Sequence, residues 1–292
     1  MAKANPFRPH SPIWRPSDFY GRSKEARRVL GSLRKGQSVS IVGPSKCGKT
    51  SLLNYISDIE IFQRHALLAG KHVFVRIDTT DVRGQSLADV EQDECFFCLR
   101  EEITHQIKES NVTIADKLKK ATRQAVSQSA YFGLTTLFRT AHENDMKPIV
   151  TLDNFDALTK NTRLTERFFQ ALRFFATGHY GMAYLIVSRH PLHKLEKIRI
   201  EASPLFNIFH QIVLGPFTSK ESHELVNAIL KRSDIQFPAF AIDYVLKLGH
   251  NEPYRLQLAG YHAFEIWQEK GARLQEADCR EIKRRFGVAL SQ

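Results

Sequence analysis

A short run of small, polar and basic residues follows the apolar segment 38–42. Its glycines, at the first and sixth positions, allow backbone N–H groups to converge on phosphate oxygens. The lysine after the second glycine can reach the β and γ phosphates, and the threonine hydroxyl that follows can ligate Mg²⁺. This pattern predicts a P-loop that binds a nucleoside triphosphate with Mg²⁺. The predicted binding residues are Gly43, Pro44, Ser45, Lys46, Cys47, Gly48, Lys49, Thr50 and Ser51.

A P-loop site needs a second oxygen ligand for Mg²⁺ at the end of a neighbouring strand. Asp153 closes the apolar run 149–152 and is predicted to be that ligand. The next residue is Asn154, whose amide can hold the attacking water but cannot accept its proton. Asp156 could accept the proton if the loop brings it near; alternatively, it caps the helix near Leu158. The expected machinery for hydrolysis is therefore Lys49, Asp153, Asn154 and Asp156.

A cation follows another apolar run, 183–188, at Arg189. A guanidinium at the end of a strand can sense the γ-phosphate and stabilise charge in the transition state. We therefore include Arg189 among the candidate catalytic residues. The alternative is an ordinary surface arginine.

Apolar, β-rich runs alternate with helical periodicity up to residue 215. The predicted strands are 38–42, 72–78, 148–153, 183–188 and 211–214. Helical patterns cover 24–34, 50–59 and most of 87–144. Such alternation indicates an α/β fold with a parallel sheet covered by helices on both faces.

Three segments are predicted along the chain. Residues 1–17 carry four prolines and are expected to form an extended N-terminal arm, anchored by Trp14. Residues 18–215 form the α/β core. After Pro216 the pattern is helical only, so 216–292 are predicted to be a helical lid subdomain.

The chain has 292 residues, a formal net charge of +11 and a pI near 9.5. This excess favours anionic partners, including nucleic acid, and Lys283, Arg284 and Arg285 form a basic run; a solvated basic surface is the alternative. No apolar run approaches the ~20 residues that cross a bilayer. With no signal-peptide pattern at the N-terminus, we expect a cytoplasmic protein with no membrane association.

Cys95 and Cys98 form a CxxC pair, but no second pair or histidine cluster completes a zinc site. The aromatic residues between them favour two small apolar side chains on an amphipathic helix, with a redox or metal role as the alternative.

Further motifs resemble those of AAA+ and STAND ATPases. Residues 19–25 resemble the hhGRxxE box that precedes the P-loop, which implies that Tyr20, Gly21 and Arg22 lie near the adenine. Residues 153–156 are similar to a Walker B motif, and Ser188 with Arg189 resembles sensor 1. Residues 249–257 resemble the GxP lid motif, which implies that Pro253 contacts the base. The resemblance spans about residues 18–260 and implies ATP as the nucleotide and the strand order 5-1-4-3-2.

Two departures from this family pattern shape the functional hypotheses. Asn154 replaces the usual glutamate, which implies slow hydrolysis. The chain ends about 30 residues beyond the lid motif, where STAND proteins continue into a winged helix. We therefore expect a stand-alone ATPase or a nucleotide-dependent switch that self-associates on binding ATP and acts with a separate protein partner. The alternatives are a DNA-transaction ATPase of the origin-binding or transposition-regulator type, and a scaffold that binds ATP without turning it over.

Overall fold

The computed structural model describes residues 3–67, 71–110, 116–120, 129–178, 180–195 and 205–291. The strands are β1 (Ser38–Val42), β2 (His72–Asp78), β3 (Lys147–Asp153), β4 (Ala183–Ser188) and β5 (Phe209–Val213). The first helices are α1 (Ser23–Arg34), α2 (Lys49–Ser57), α3 (Ile59–Arg64), α4 (Gln92–Ser110), α5 (Ala130–Glu143), α6 (Phe155–Lys160) and α7 (Glu166–Thr177). The later helices are α8 (Ser219–Arg232), α9 (Ala239–Gly249), α10 (Pro253–Glu269) and α11 (Asp278–Leu290). Residues 116–120 are also helical.

All five strands form one parallel sheet in the order β2-β3-β4-β1-β5, which confirms the predicted order 5-1-4-3-2. The central strands β1 and β4 are buried along their whole length. β5 begins two residues earlier than predicted, because Phe209 and His210 pair with Ser38 and Val39 of β1. The sequence hides this start, since β5 is an edge strand with several exposed side chains and no continuous apolar run.

Helix boundaries differ from the prediction where a side chain caps the backbone. The helix predicted over 50–59 ends at Ser57, because the Asp58 carboxylate accepts hydrogen bonds from the N–H groups of Glu60 and Ile61 and starts α3. The predicted helical stretch 87–144 contains α4, the segment 116–120 and α5. Its residues 111–115 and 121–128 lie outside the described ranges.

The chain forms two compact units. One comprises Arg27–Pro44 and Ile56–Val213; the other comprises Met1–Ala26, Ser45–Tyr55 and Leu214–Gln292. The first unit contains the sheet, and its core joins β2, β3 and β4 to the apolar faces of α4, α5 and α7. The linear boundaries after residues 17 and 215 stay a prediction.

The second unit has a separate apolar core built from helices α8 to α11 and closed by Phe7 from the N-terminal arm. Phe7 is 1% exposed, and a Cβ on Gly260 would lie 2.3 Å from its ring, so α10 needs a glycine there. Trp14, the expected anchor, is 66% exposed. Of the two aromatic residues, Phe7 and not Trp14 is therefore buried in this core.

No helix within the described ranges is both long and apolar enough to span a membrane.

Candidate functional site

The predicted P-loop begins where β1 ends, and its two glycine residues have different structural roles. The N–H of Gly43 donates to the Ser188 carbonyl at 3.2 Å, so it extends the pairing of β1 with β4. Gly48 has a φ of +94°, a backbone conformation that glycine adopts without strain. Helix α2 then begins at Lys49, one residue before the predicted start, and its dipole favours an anion at that end.

Arg22 of the box before α1 is buried at 3% exposure and holds two other segments of its unit. Its Nη2 donates to the Gly215 carbonyl, and it lies 3.4 Å from the carbonyl oxygen of Cys47 in the P-loop. Its guanidinium also lies 4.8 Å from the centre of the Phe217 ring. One arginine therefore joins the P-loop to the segment that leads into the helices after residue 215.

The backbone conformation at Gly21 and the N–H of Arg22 both support the packing of Arg22 against Phe217. Gly21 has a φ of +72°, and a Cβ there would lie 2.9 Å from the ring of Phe217. The N–H of Arg22 donates to Glu221 Oε1 at 2.9 Å, while Oε2 of the same carboxylate accepts from the N–H of Thr218 in a capping box. Burial acts to raise the pKa of Glu221, but the hydrogen bonds from Thr218 and Arg22 outweigh it and lower the pKa. Glu221 is therefore held in its charged form.

The predicted lid motif is a tight turn between α9 and α10. His250 and Asn251 are both left-handed, with φ of +45° and +60°, and Pro253 is the first residue of α10. The Asn251 carbonyl accepts from the N–H of Phe217 at 2.7 Å, and its side-chain oxygen accepts from the Ser222 hydroxyl at 2.8 Å. These bonds fix Pro253 relative to the segment that Arg22 holds.

Three further contacts in this unit involve the P-loop or helix α2. The Lys46 ammonium lies 4.0 Å from the centre of the ring of Tyr254, the residue that follows Pro253. In the N-terminal arm, the N–H of Ile13 donates to Ser51 Oγ at 3.1 Å, and the Ile13 carbonyl accepts from Asn54 Nδ2 at 2.7 Å. Tyr20 packs against the helical core.

In the sheet unit, Asp153 ends β3 with only 5% exposure. Its Oδ1 accepts from the N–H of Asn154 at 2.9 Å, and its Oδ2 lies 3.8 Å from Arg76 Nη2 on the neighbouring strand β2. The hydrogen bond from Asn154 therefore orients the carboxylate, and the Arg76 guanidinium lies close enough to stabilise its charge. A carboxylate, like the Thr50 hydroxyl of the P-loop, is a hard oxygen ligand of the kind Mg²⁺ prefers.

Asn154 is left-handed, with a φ of +56°, and its side chain turns towards β2. Its Nδ2 donates to Asp78 Oδ1 at 3.0 Å, and Thr79 Oγ1 donates to its carbonyl at 2.9 Å. Burial acts to raise the pKa of Asp78, but hydrogen bonds from Asn154 and Thr80 and the charge of Arg76 lower it overall. The Asn154 amide therefore donates to the Asp78 carboxylate, which stays ionised because its pKa is lowered.

Asp156 lies in the first turn of α6 and binds the segment after β4. Its Oδ2 accepts from the N–H of Arg189 at 2.6 Å, and its Oδ1 accepts from the N–H of His190 at 3.3 Å and lies 3.2 Å from His190 Nδ1. The two carboxylate oxygens thus hold the backbone of the segment 189–190. The Arg189 side chain itself is exposed.

Sequence reasoning missed the end of β2. Arg76, Asp78 and Thr79 reach Asp153 and Asn154 because β2 pairs with β3 in register, with Asp78 opposite Asp153. The usable signal was an acid at the end of a second parallel strand, since carboxyl ends of neighbouring parallel strands share one edge. The contacts of Phe217 and Glu221 with Arg22 were not predicted either, because only the tertiary structure brings these residues together.

The four cysteines are free thiols, and no cluster of three metal-binding side chains occurs in the ranges that the structure describes. Cys95 and Cys98 are buried on α4, as the amphipathic interpretation predicts. Burial and the neighbouring Cys98 and Glu94 raise the pKa of Cys95 to about 12, so its thiol is protonated and unreactive.

A parallel sheet in the order β2-β3-β4-β1-β5, with the GxxxxGKT loop between β1 and α2, defines the P-loop NTPase fold of the AAA+ type. Residues 9–281 match the AAA-like domain family, and the chain belongs to it. None of the curated proteins matches the chain significantly.

Several solved structures share the fold. The Walker-type ATPase of Pyrococcus abyssi is 17% identical with a TM-score of 0.66, over 98% of this chain and 77% of that one. The ORC2 protein of Aeropyrum pernix, in its ADPNP–ADP complexes, is 15% identical with a TM-score of 0.66, over 97% and 72%. The ORC1 protein of the same organism, in complex with DNA, is 12% identical with a TM-score of 0.57, over 91% and 65%.

Proposed function

We propose that this AAA-like chain is an ATP-dependent switch in the cytoplasm that hydrolyses ATP slowly. One observation carries the proposal: the buried Arg22 joins the Cys47 carbonyl of the P-loop to the Gly215 carbonyl that precedes the lid helices. A change of backbone at the P-loop therefore reaches the lid through one side chain. The turn before Pro253 is also connected to the segment after Gly215, because the N–H of Phe217 donates to the Asn251 carbonyl.

In this proposal, the P-loop residues 43–51 bind the phosphates, with Lys49 at the β and γ positions. Tyr20, Gly21, Arg22 and Pro253 surround the base, as the resemblance to STAND ATPases implies. Thr50 and Asp153 would hold Mg²⁺, which supplies charge neutralisation between the phosphates when bound. Arg189, positioned by Asp156, senses the γ-phosphate.

Slow hydrolysis follows from Asn154. Its amide cannot accept a proton from water, and it donates to Asp78. Asp156 uses both oxygens to hold the segment 189–190. The bound triphosphate state is therefore expected to persist, which suits a switch; a scaffold that never turns over ATP is the limiting case.

The switch is tested by its assembly state, since we expect ATP to favour self-association or capture of a separate protein partner. Molecular mass is measured by light scattering with ADP and with a non-hydrolysable ATP analogue, each at saturation. We expect a larger mass with the analogue, and no difference in a Lys49→Ala variant that cannot hold the phosphates. Equal masses with both nucleotides would contradict the proposal that the protein is an ATP-dependent switch.

The second candidate is a DNA-transaction ATPase, favoured by the net charge of +11. Two of the three residues in the basic run near the end of the chain are already paired with carboxylates. Arg285 pairs with Glu269 and Glu281, and Arg284 pairs with Glu281. Titrating labelled duplex DNA at low salt tests this candidate, and no measurable binding would exclude it.

A further inference from the structure

Helix α1 carries a strip of positive charge that the ATP site does not use. Between Ala26 and Ser57 the sequence has no aspartate or glutamate. The exposed residues Arg27, Arg28 and Arg34 lie on α1, and the exposed Lys35 follows its last residue. At 3.6 residues per turn, all four lie within about 60° of Gly31 around the helix axis. We call these four residues the basic stripe.

Three of the four residues in the basic stripe form no ion pair with a described residue. Within the described part of the protein, no carboxylate lies within 4.0 Å of Arg28, Arg34 or Lys35. Arg28 instead places its Nη2 3.1 Å from His210 Nε2 on β5, whose Nδ1 lies 2.8 Å from Ser32 Oγ. His210 therefore orients Arg28 and brings no negative charge to the stripe.

Gly31 gives the stripe a second unusual feature. A glycine inside a helix destabilises the helix relative to alanine. Gly31 does not avoid a clash, because a Cβ there would meet no atom within 4 Å. It lies at the centre of the stripe, so its missing side chain lets another molecule come close to the helix backbone between Arg28 and Arg34.

We propose that the basic stripe binds the phosphodiester backbone of a nucleic-acid duplex, independently of sequence. Arginine pairs well with phosphate, because its guanidinium donates two parallel hydrogen bonds. The stripe's two pairs are seven residues apart, about 10 Å along the helix, which matches about three base steps of 3.4 Å along one strand. The proposal deepens the second candidate function and does not depend on ATP binding.

The experiment measures binding of a labelled 30-base-pair DNA duplex by fluorescence anisotropy from 50 to 200 mM salt, without nucleotide. The stripe variant is Arg28→Gln/Arg34→Gln/Lys35→Gln. The matched control is Arg64→Gln/Arg163→Gln/Lys220→Gln, which removes the same charge from exposed residues paired with carboxylates. The salt slope is the change in the logarithm of the binding constant with the logarithm of the salt concentration. Losing three phosphate contacts should lower the magnitude of this slope by about 2.7. The loss of affinity between 50 and 200 mM salt should then be about 40-fold smaller than for the wild type. The control should keep the wild-type slope.

A third variant, Gly31→Leu, tests close approach without changing charge. Its fold should be at least as stable as the wild type, because the added side chain meets open space. Its affinity for the duplex should fall at least tenfold. Binding of a fluorescent ATP analogue should be unchanged in all three variants, so this test fails or succeeds separately from the ATP site.

The proposal is overturned if the stripe and control variants lose affinity equally, because any lost charge would then suffice. It is also overturned if Gly31→Leu binds like the wild type, or if the wild type does not bind the duplex at 50 mM salt. Binding to phosphatidylserine vesicles in place of the duplex would equally contradict it.

Discussion

Asn154 donates a hydrogen bond from its side-chain amide to Asp78 Oδ1 at 3.0 Å, and so joins the ends of β3 and β2. The resemblance to AAA+ and STAND ATPases predicts that this asparagine occupies the position of the Walker B glutamate. Its left-handed backbone suits asparagine better than most residues, since its short polar side chain tolerates that conformation. The departure from the family pattern is therefore built into the local structure, and Asp78 is its partner.

Restoring a carboxylate at this position should raise ATP turnover. We expect Asn154→Glu to increase the rate about tenfold, which is less than the 10²-fold or more typical of a general base. The reason is that the new glutamate faces the charged Asp78. Adding Asp78→Asn removes this repulsion, and the double variant should reach about 100-fold. Steady-state phosphate release measures both.

Asp78→Asn alone is the control for these variants. It removes the repulsion without placing a base at position 154, so its turnover should equal that of the wild type. Fast hydrolysis by the wild-type protein would contradict the role given to Asn154 and indicate another base.

The stability of the sheet unit should depend on pH through Asp78. The hydrogen bonds from Asn154 and Thr80 outweigh burial and lower its pKa below the ordinary value of 3.8. A lowered pKa in the folded state means that the carboxylate stabilises the fold above pH 3.8, and that this contribution is lost as the pH falls through the folded pKa. The free energy of unfolding of the wild type should therefore fall more steeply below pH 4 than that of Asp78→Asn. Parallel curves in urea titrations would refute this.

Replacing Arg22 by lysine should uncouple the P-loop from the lid segment. A lysine keeps the charge but cannot reach the Cys47 and Gly215 carbonyls with one planar group. We expect a loss of about 3 kcal/mol in the free energy of unfolding, the scale for disrupting a buried charged group. Affinity for a fluorescent ATP analogue should fall at least tenfold.

The neighbouring Lys24→Ala is the control for Arg22→Lys. Lys24 is exposed on α1, so its removal should change neither stability nor nucleotide affinity measurably. If Arg22→Lys bound nucleotide as tightly as this control, the coupling through Arg22 would be wrong.

Removing the anchor of the N-terminal arm should destabilise the helical unit. Phe7→Ala empties a buried position among α8 to α11, which costs about 3–5 kcal/mol for a phenylalanine in a core. Trp14→Ala is the matched aromatic control, and it should cost less than about 1 kcal/mol because Trp14 is mostly exposed. Thermal unfolding measures both, and equal effects would contradict the assignment of Phe7 as the anchor.

Much of the sheet could be predicted from the sequence because its strands are apolar and parallel. The runs at 38–42, 72–78 and 183–188 match β1, β2 and β4 at both ends. The P-loop predicted the end of β1, and it predicted the start of α2 to within one residue. β5 was less accurate, because an edge strand exposes polar side chains that resemble a loop.

The sequence by itself determined the P-loop, the acid at the end of β3 and the asparagine that follows it, because local spacing defines each of them. Only the tertiary structure decided what these residues contact. Asp78 reaches Asn154 across 76 positions of sequence, and Glu221 reaches Arg22 across 199. Strand register and core packing produce such pairs, and no local pattern encodes them. The same physical reason separates Phe7 from Trp14: both are aromatic residues in a proline-rich arm, but only Phe7 meets a cavity between helices that its ring can fill.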